Sequence, residues 1–262
     1  MSDKLRNVKV EKQTQINRQS LLKLIDMHFE DLVKDEEYDI SYVRPSELIK
    51  HNRLDLAIKI LYLEMKEFED VSFARELYIR HIKAFTLGRF IEPGNPKKNS
   101  IHRYLNDFES IYKTILFDGF NEAKSVIPLS SSGSISNGAH RVASAYLANQ
   151  TVPSVILNIP DDSYGFKFFL KRGMSERDVE IAVTKFIELA ENCHVALIWP
   201  SAKGYREELA ELIPNIIYKR EISLNISGAH NLLSQVYYDE DWLGSRVKNY
   251  PGVKNKLVEC FK

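Results

Sequence analysis

The chain has 262 residues, 44% hydrophobic and 27% charged, enough apolar material for one large core or two small ones. Lys and Arg number 36 and Asp and Glu also 36, so there is no chain-wide basic excess for general nucleic-acid binding. Only Cys193 and Cys260 are present, the first residues are polar, and no apolar run approaches the roughly 20 residues that span a bilayer. These features argue against a disulfide framework, a secretory leader and membrane insertion, and they predict a cytoplasmic protein.

Residues 1–16 read as a mobile polar lead. Leu21, Leu22, Leu24, Ile25, Phe29 and Leu32 recur at helical spacing, which predicts an amphipathic helix over 17–34. Asp35-Glu36-Glu37 ends it as a charged loop, and Ser46 is placed to cap a helix starting near Glu47. Further helical patterns cover 53–65, 71–86 and 102–115. Two prolines and a glycine make Glu92-Pro93-Gly94-Asn95-Pro96 a loop.

The pattern changes near residue 123. A short strand at 125–129, a turn at 130–133, a second short strand at 134–136, a helix at 139–148 and a strand at 152–157 compose an α/β unit. Beyond Pro160 the sequence predicts a helix near 175–191 and a buried strand at 195–199. A helix at 205–212, a strand at 216–225 and a helix at 229–238 follow. The expected class is α/β (α+β), divided into a lead and helix (1–40), a central nucleotide-binding domain (41–160) and a smaller C-terminal α/β unit (161–262).

The strongest chemical signal is Ser136-Asn137-Gly138-Ala139-His140-Arg141. Asn137-Gly138 suits a tight turn, because glycine reaches positive φ without steric cost. A helix starting at Ala139 leaves its first backbone N–H groups available to an anion. His140 and Arg141 lie in that first turn and Ser144 one turn beyond, so the three can share a polar face. Amides, imidazole and guanidinium together would cradle a phosphate. The plainer alternative is a surface helix whose His140 and Arg141 pair with nearby carboxylates.

Residues 127–143, from Ile127-Pro128 through Ser136-Asn137-Gly138-Ala139-His140-Arg141-Val142-Ala143, resemble the core of the ParB/sulfiredoxin-like fold family. Its members commonly carry an Asp/Gly-Gly-x-His-Arg-x-x-Ala element there. The specific part of the resemblance spans about 30 residues, 125–157, and the chain as a whole is similar to proteins of bacterial surface-polysaccharide gene clusters. The resemblance implies that His140 and Arg141 contact nucleotide phosphates and that Gly138 allows close approach. It implies a small-molecule kinase using ATP or another nucleotide with Mg²⁺, and a glutamate on an earlier loop that activates the substrate hydroxyl. Glu92 is the candidate base, with Lys97 or Lys98 neutralising phosphate charge; a merely solvated loop is the alternative.

Two departures narrow the expectation. Asn137 stands where the family often has Asp and cannot act as a base or an anionic metal ligand. Ala139 replaces the cysteine on which sulfiredoxin's reductase chemistry depends. The expected function is a nucleotide-dependent kinase of a small hydroxyl-bearing metabolite, a sugar or polyol, for surface-polysaccharide synthesis. The alternatives are a sugar or nucleotidyl transferase of glycan assembly and a non-catalytic ParB-like nucleotide- or DNA-binding protein.

Weaker signals lie downstream. Ile226-Ser227-Gly228-Ala229-His230 echoes the Gly-Ala-His of the first turn, with Asn231 in place of Arg141. Ser201-Ala202-Lys203-Gly204 follows a predicted strand, where α/β ligands often sit. Asp239-Glu240-Asp241-Trp242 could hold a cation and stack on a sugar or base, or be a solvated acidic turn. Cys193-His194 lacks partners at metal-ligand spacing. His28, His51, His81 and His102 read as surface or packing residues.

Overall fold

A computed structural model describes residues 13–68, 71–91 and 98–190. The chain divides into two compact units, Met1–Glu191 and Asn192–Lys262, and all described residues belong to the first. The predicted elements at 195–199, 205–212, 216–225 and 229–238 lie outside the described residues. So do the weaker signals at Cys193-His194, 201–204, 226–231 and 239–242.

The described unit is mixed α/β, of the α+β kind, around a four-stranded mixed sheet. Its strands are β1 (Gln13–Asn17), β2 (Glu37–Val43), β3 (Ile127–Leu129) and β4 (Val152–Ile156), in the order β1-β2-β4-β3. The β1–β2 and β2–β4 pairs are antiparallel, with Ile16 opposite Tyr38 and Ile40 opposite Val155. The β3–β4 pair is parallel, with Leu129 opposite Ile156. Parallel neighbours require a crossover, which the helix α5 (Ala139–Leu147) supplies.

The helix predicted over 17–34 does not form as one element. It is a short helix α1 (Arg18–Leu21) followed by a separate 3-10 turn, Met27–Leu32. The Leu24 carbonyl accepts from the Val126 amide at 3.1 Å, which takes it out of an α-helical ladder. The polar lead contributes β1, and β2 occupies a stretch for which no element was predicted. The alternation in β2 buries Tyr38 and Ile40, which pack with Leu21, Phe29, Val126 and Val155. The helix expected after Ser46 is a 3-10 turn, Pro45–Leu48, led by Arg44 without a side-chain cap. The second short strand shrinks to a bridge between Leu129 and Ile135.

The helices α2 (Leu54–Glu67), α3 (Ser72–Phe85) and α4 (Ile101–Asp118) match the predicted pattern. Ser100 caps α4 by accepting from the Arg103 amide at 3.3 Å. Helix α2 packs on α3 and α5, and α4 packs on α5. Two further helices, α6 (Phe166–Lys171) and α7 (Glu176–Leu189), belong to the same unit. Asp178 on α7 accepts two bonds from Arg80 on α3, at 2.8 and 2.9 Å. Among the described residues no helix is long and apolar enough to cross a membrane.

Candidate functional site

The turn between β3 and α5 folds against the start of α2. Gly138 has φ of 91° and precedes the first helical residue of α5 with no side-chain cap. A β-carbon there would stand 2.6 Å from Ile127 Cδ1 and 2.9 Å from Arg141 Nη2, so only glycine fits both the backbone and the space. The first-turn residues Ala139 and His140 then line a cleft of about 590 Å³. That size suits a ligand of nucleotide or metabolite dimensions.

The floor of the cleft is a buried ionic cluster from α2. Arg53 donates to both oxygens of Asp55, each at 2.9 Å, and Lys59 donates to Asp55 Oδ2 at 2.9 Å. The other arm of Arg53 donates to the Ile135 carbonyl, tying α2 to the turn. Burial alone would raise the Asp55 carboxyl, but Arg53 and Lys59 outweigh it and hold the group well below the usual carboxylate range. Burial lowers Lys59, with Asp55 opposing. Arg89 and Arg172 also line the cleft, whereas Asp55 is its one carboxylate among the described residues. The charge balance favours an anionic ligand.

The predicted site residues divide sharply. His140 lines the cleft; its Nε2 shares a 2.8 Å hydrogen bond with Tyr78 Oη, and its ring packs 4.5 Å from that of Phe108. Burial first, then Lys59 and Lys98, push this imidazole well below its ordinary value, so it is neutral at pH 7. Asn137 also lines the cleft, donating from its amide to Asp26 and accepting from the Gly138 N–H. Lys98 is buried, with Nζ 4.4 Å from the ring centroid of Tyr104, another lining residue.

Arg141 packs its guanidinium against Gly138, itself a lining residue of the cleft. Ser144 does not share the polar face: it is wholly buried, and its hydroxyl donates to the His140 carbonyl at 2.8 Å, a bond within the helix. Glu92 and Lys97 lie outside the described residues. Ile91, immediately before Glu92, lines the cleft.

Sequence reasoning missed Arg53, Asp55 and Lys59. The signal was available, because the first part of α2, Leu54 to Leu63, is apolar around its whole circumference apart from Asp55 and Lys59, which leaves those two charges no polar face to join. His81, read as surface or packing, is a wholly buried ring on α3 that packs against Tyr78, Phe85 and Phe169 and also lines the cleft. Burial and then Lys59 hold His81 well below its ordinary value. Among the described residues neither of its ring nitrogens has a well-formed hydrogen bond, and neither does the buried Ser136 hydroxyl. A backbone interaction with Tyr78 opposes that lowering.

Both Asp55 oxygens are engaged, and no cluster of three His, Cys, Asp or Glu side chains stands ready for an ion among the described residues. Comparison with protein-family models, with curated proteins and with solved structures gives no match.

Proposed function

We propose that the protein is a nucleotide-dependent kinase of a small hydroxyl-bearing metabolite, a sugar or polyol, built on a ParB/sulfiredoxin-like core. One observation carries this reading. The uncapped start of α5 opens onto a cleft bearing Arg53, Lys59, Arg89 and Arg172 against a single, already paired carboxylate. Helix amides and fixed cations together bind phosphate and stabilise charge on a transferring phosphoryl group. The parallel β3–α5–β4 crossover and the Gly138 turn support the ParB/sulfiredoxin-like assignment of the core. The association with surface-polysaccharide synthesis rests on the resemblance.

In the proposed reaction the terminal phosphoryl of ATP passes to the substrate hydroxyl. The bond to the leaving oxygen of ADP breaks, the new P–O bond forms, and the hydroxyl proton goes to a carboxylate. Asp55 cannot take that proton, since Arg53 and Lys59 hold it ionised and engaged. Glu92, next to the cleft-lining Ile91, is the base we assign. The engagement of Asp55 also favours a second reading, a nucleotide-binding protein without transfer.

Thermal shift with ATP, ADP and CTP, combined with label transfer from [γ-³²P]ATP to a panel of sugars and polyols, decides between them. We expect ATP or ADP to raise Tm, and Glu92→Gln to keep that shift while losing about 100-fold in transfer. Binding without transfer to any acceptor establishes the second reading. If no nucleotide raises Tm, both readings fall.

A further inference from the structure

His81 is wholly buried and lines the cleft, and beyond a backbone interaction with Tyr78 neither ring nitrogen has a well-formed hydrogen bond among the described residues. Ser136 lines the same cleft, and its buried hydroxyl has no hydrogen-bond partner among the described residues. Both abut the Arg53–Asp55–Lys59 cluster. Ser136 follows Ile135, whose carbonyl accepts from Arg53, and the charges of Lys59, Asp55 and Arg53 all act on His81. Proteins rarely leave buried polar atoms unmatched, and those they leave in a cleft point to a ligand that completes them.

The chemistry of these atoms specifies the ligand. A neutral imidazole offers one N–H donor and one bare nitrogen acceptor, and a serine hydroxyl can both donate and accept. A fully ionised phosphate has only acceptors and would leave the bare imidazole nitrogen unmatched. A metal ion would meet no carboxylate partner here, because both Asp55 oxygens are engaged. Adjacent hydroxyl groups donate and accept in turn, and so match the whole set. Phe85, whose ring centroid is 5.3 Å from that of His81, lines the cleft together with Tyr164 and Phe168. Aromatic side chains of this kind suit the C–H faces of a polyhydroxylated carbon chain or ring.

We infer that His81 and Ser136 contribute to an acceptor subsite for hydroxyl groups of a neutral polyol or sugar. The inference deepens the kinase reading and rests on it. It makes His81 a binding residue that orients a hydroxyl, not the base that removes its proton.

The test uses the full chain labelled with ¹⁵N-histidine. The ring signals that vanish in His81→Phe identify His81, and glycerol, ribitol, myo-inositol, glucose and inorganic phosphate are titrated separately. We expect at least one polyol or sugar to move those signals. His81→Phe and Ser136→Ala should each weaken its binding about tenfold, with the ATP- or ADP-induced rise in Tm unchanged. The Phe variant keeps the ring packing, and the Ala variant removes a single hydroxyl, so a folding defect in one leaves the other informative. Signals moved by phosphate alone would make the subsite an anion site and overturn the inference, as would signals that nothing moves. Polyol binding without phosphoryl transfer would leave the subsite standing and remove the kinase reading. Transfer to a polyol with unchanged KM in both variants would do the reverse.

Discussion

The loop from Ser130 to His140 has two halves built on opposite principles. In the first half every buried hydroxyl is matched. Ser130 donates to Asp161 and accepts from the Ser134 amide at 3.1 Å, and Ser132 donates to Asp161 at 2.6 Å. Ser134 exchanges hydrogen bonds with Asn52, and Lys50 donates to the Ser132 carbonyl at 2.7 Å. In the second half the buried Ser136 hydroxyl has no such partner among the described residues, and neither has the wholly buried His81 ring that lines the same cleft. The first half holds the turn in shape. The second half keeps polar groups in reserve at a cost in stability, the pattern of a site that a ligand completes.

The comparison is sharpened most by breaking the cluster beneath both halves. Asp55→Ala leaves Arg53 and Lys59 buried without a counter-charge and should destabilise the protein by about 3–5 kcal/mol. Urea denaturation monitored by circular dichroism measures this. A small loss would mean that the cluster is hydrated and contributes little to the floor.

Acid should expose the reserve held by the second half. His81 and His140 lie well below the ordinary value of 6.5 when folded, whereas the unfolded chain holds them near it. Below pH 6.5 the unfolded state therefore binds more protons, so stability falls as pH drops and is complete above that value. His81 alone contributes a slope of up to about 1.4 kcal/mol per pH unit there, and His140 adds to it with the same sign. Asp55, also depressed, acts in the same direction below 3.8. Denaturation curves between about pH 7.5 and pH 5 cover the range in which the unfolded-state histidines titrate. Stability flat across that range would show His81 to be solvated, and the two halves would then not differ.

Gly138→Ala forces a side chain into left-handed backbone and against Ile127 Cδ1, and should cost about 1–3 kcal/mol together with nucleotide binding. The smallest effects set the halves directly against each other. Ser130→Ala strands the Ser134 amide and should cost about 1–2 kcal/mol, whereas Ser136→Ala removes an unmatched hydroxyl and should leave free-protein stability within about 0.5 kcal/mol. Equal losses in the two serine variants would erase the distinction.

Much of this architecture is written locally. Leu56, Ile60 and Leu63 on α2, Leu77 on α3, and Leu105 and Phe108 on α4 recur at helical spacing, and each helix forms. Gly138 identifies the turn because its positive φ is a property of one residue, and the short strands on either side of α5 follow from apolar runs in the sequence. The long helix expected over 17–34 fails because bonds from distant residues capture its backbone: Val126 takes the Leu24 carbonyl, and the Arg18 Nε donates to Val33 at 2.7 Å. Strand β2 alternates over only seven residues, and its identity comes from pairing with β4 more than 100 positions away.

The site divides in the same way. The sequence by itself determined that a glycine turn opens a helix with His140 in its first coil, because those are facts of neighbouring residues. Tertiary packing buries Ser144, sets the Arg141 guanidinium against Gly138, pairs Asp55 so that it is no base, and brings His81 to the cleft. Those outcomes depend on which charges and rings arrive from α2, α3 and α4, and no spacing within one element encodes what another element will bring against it.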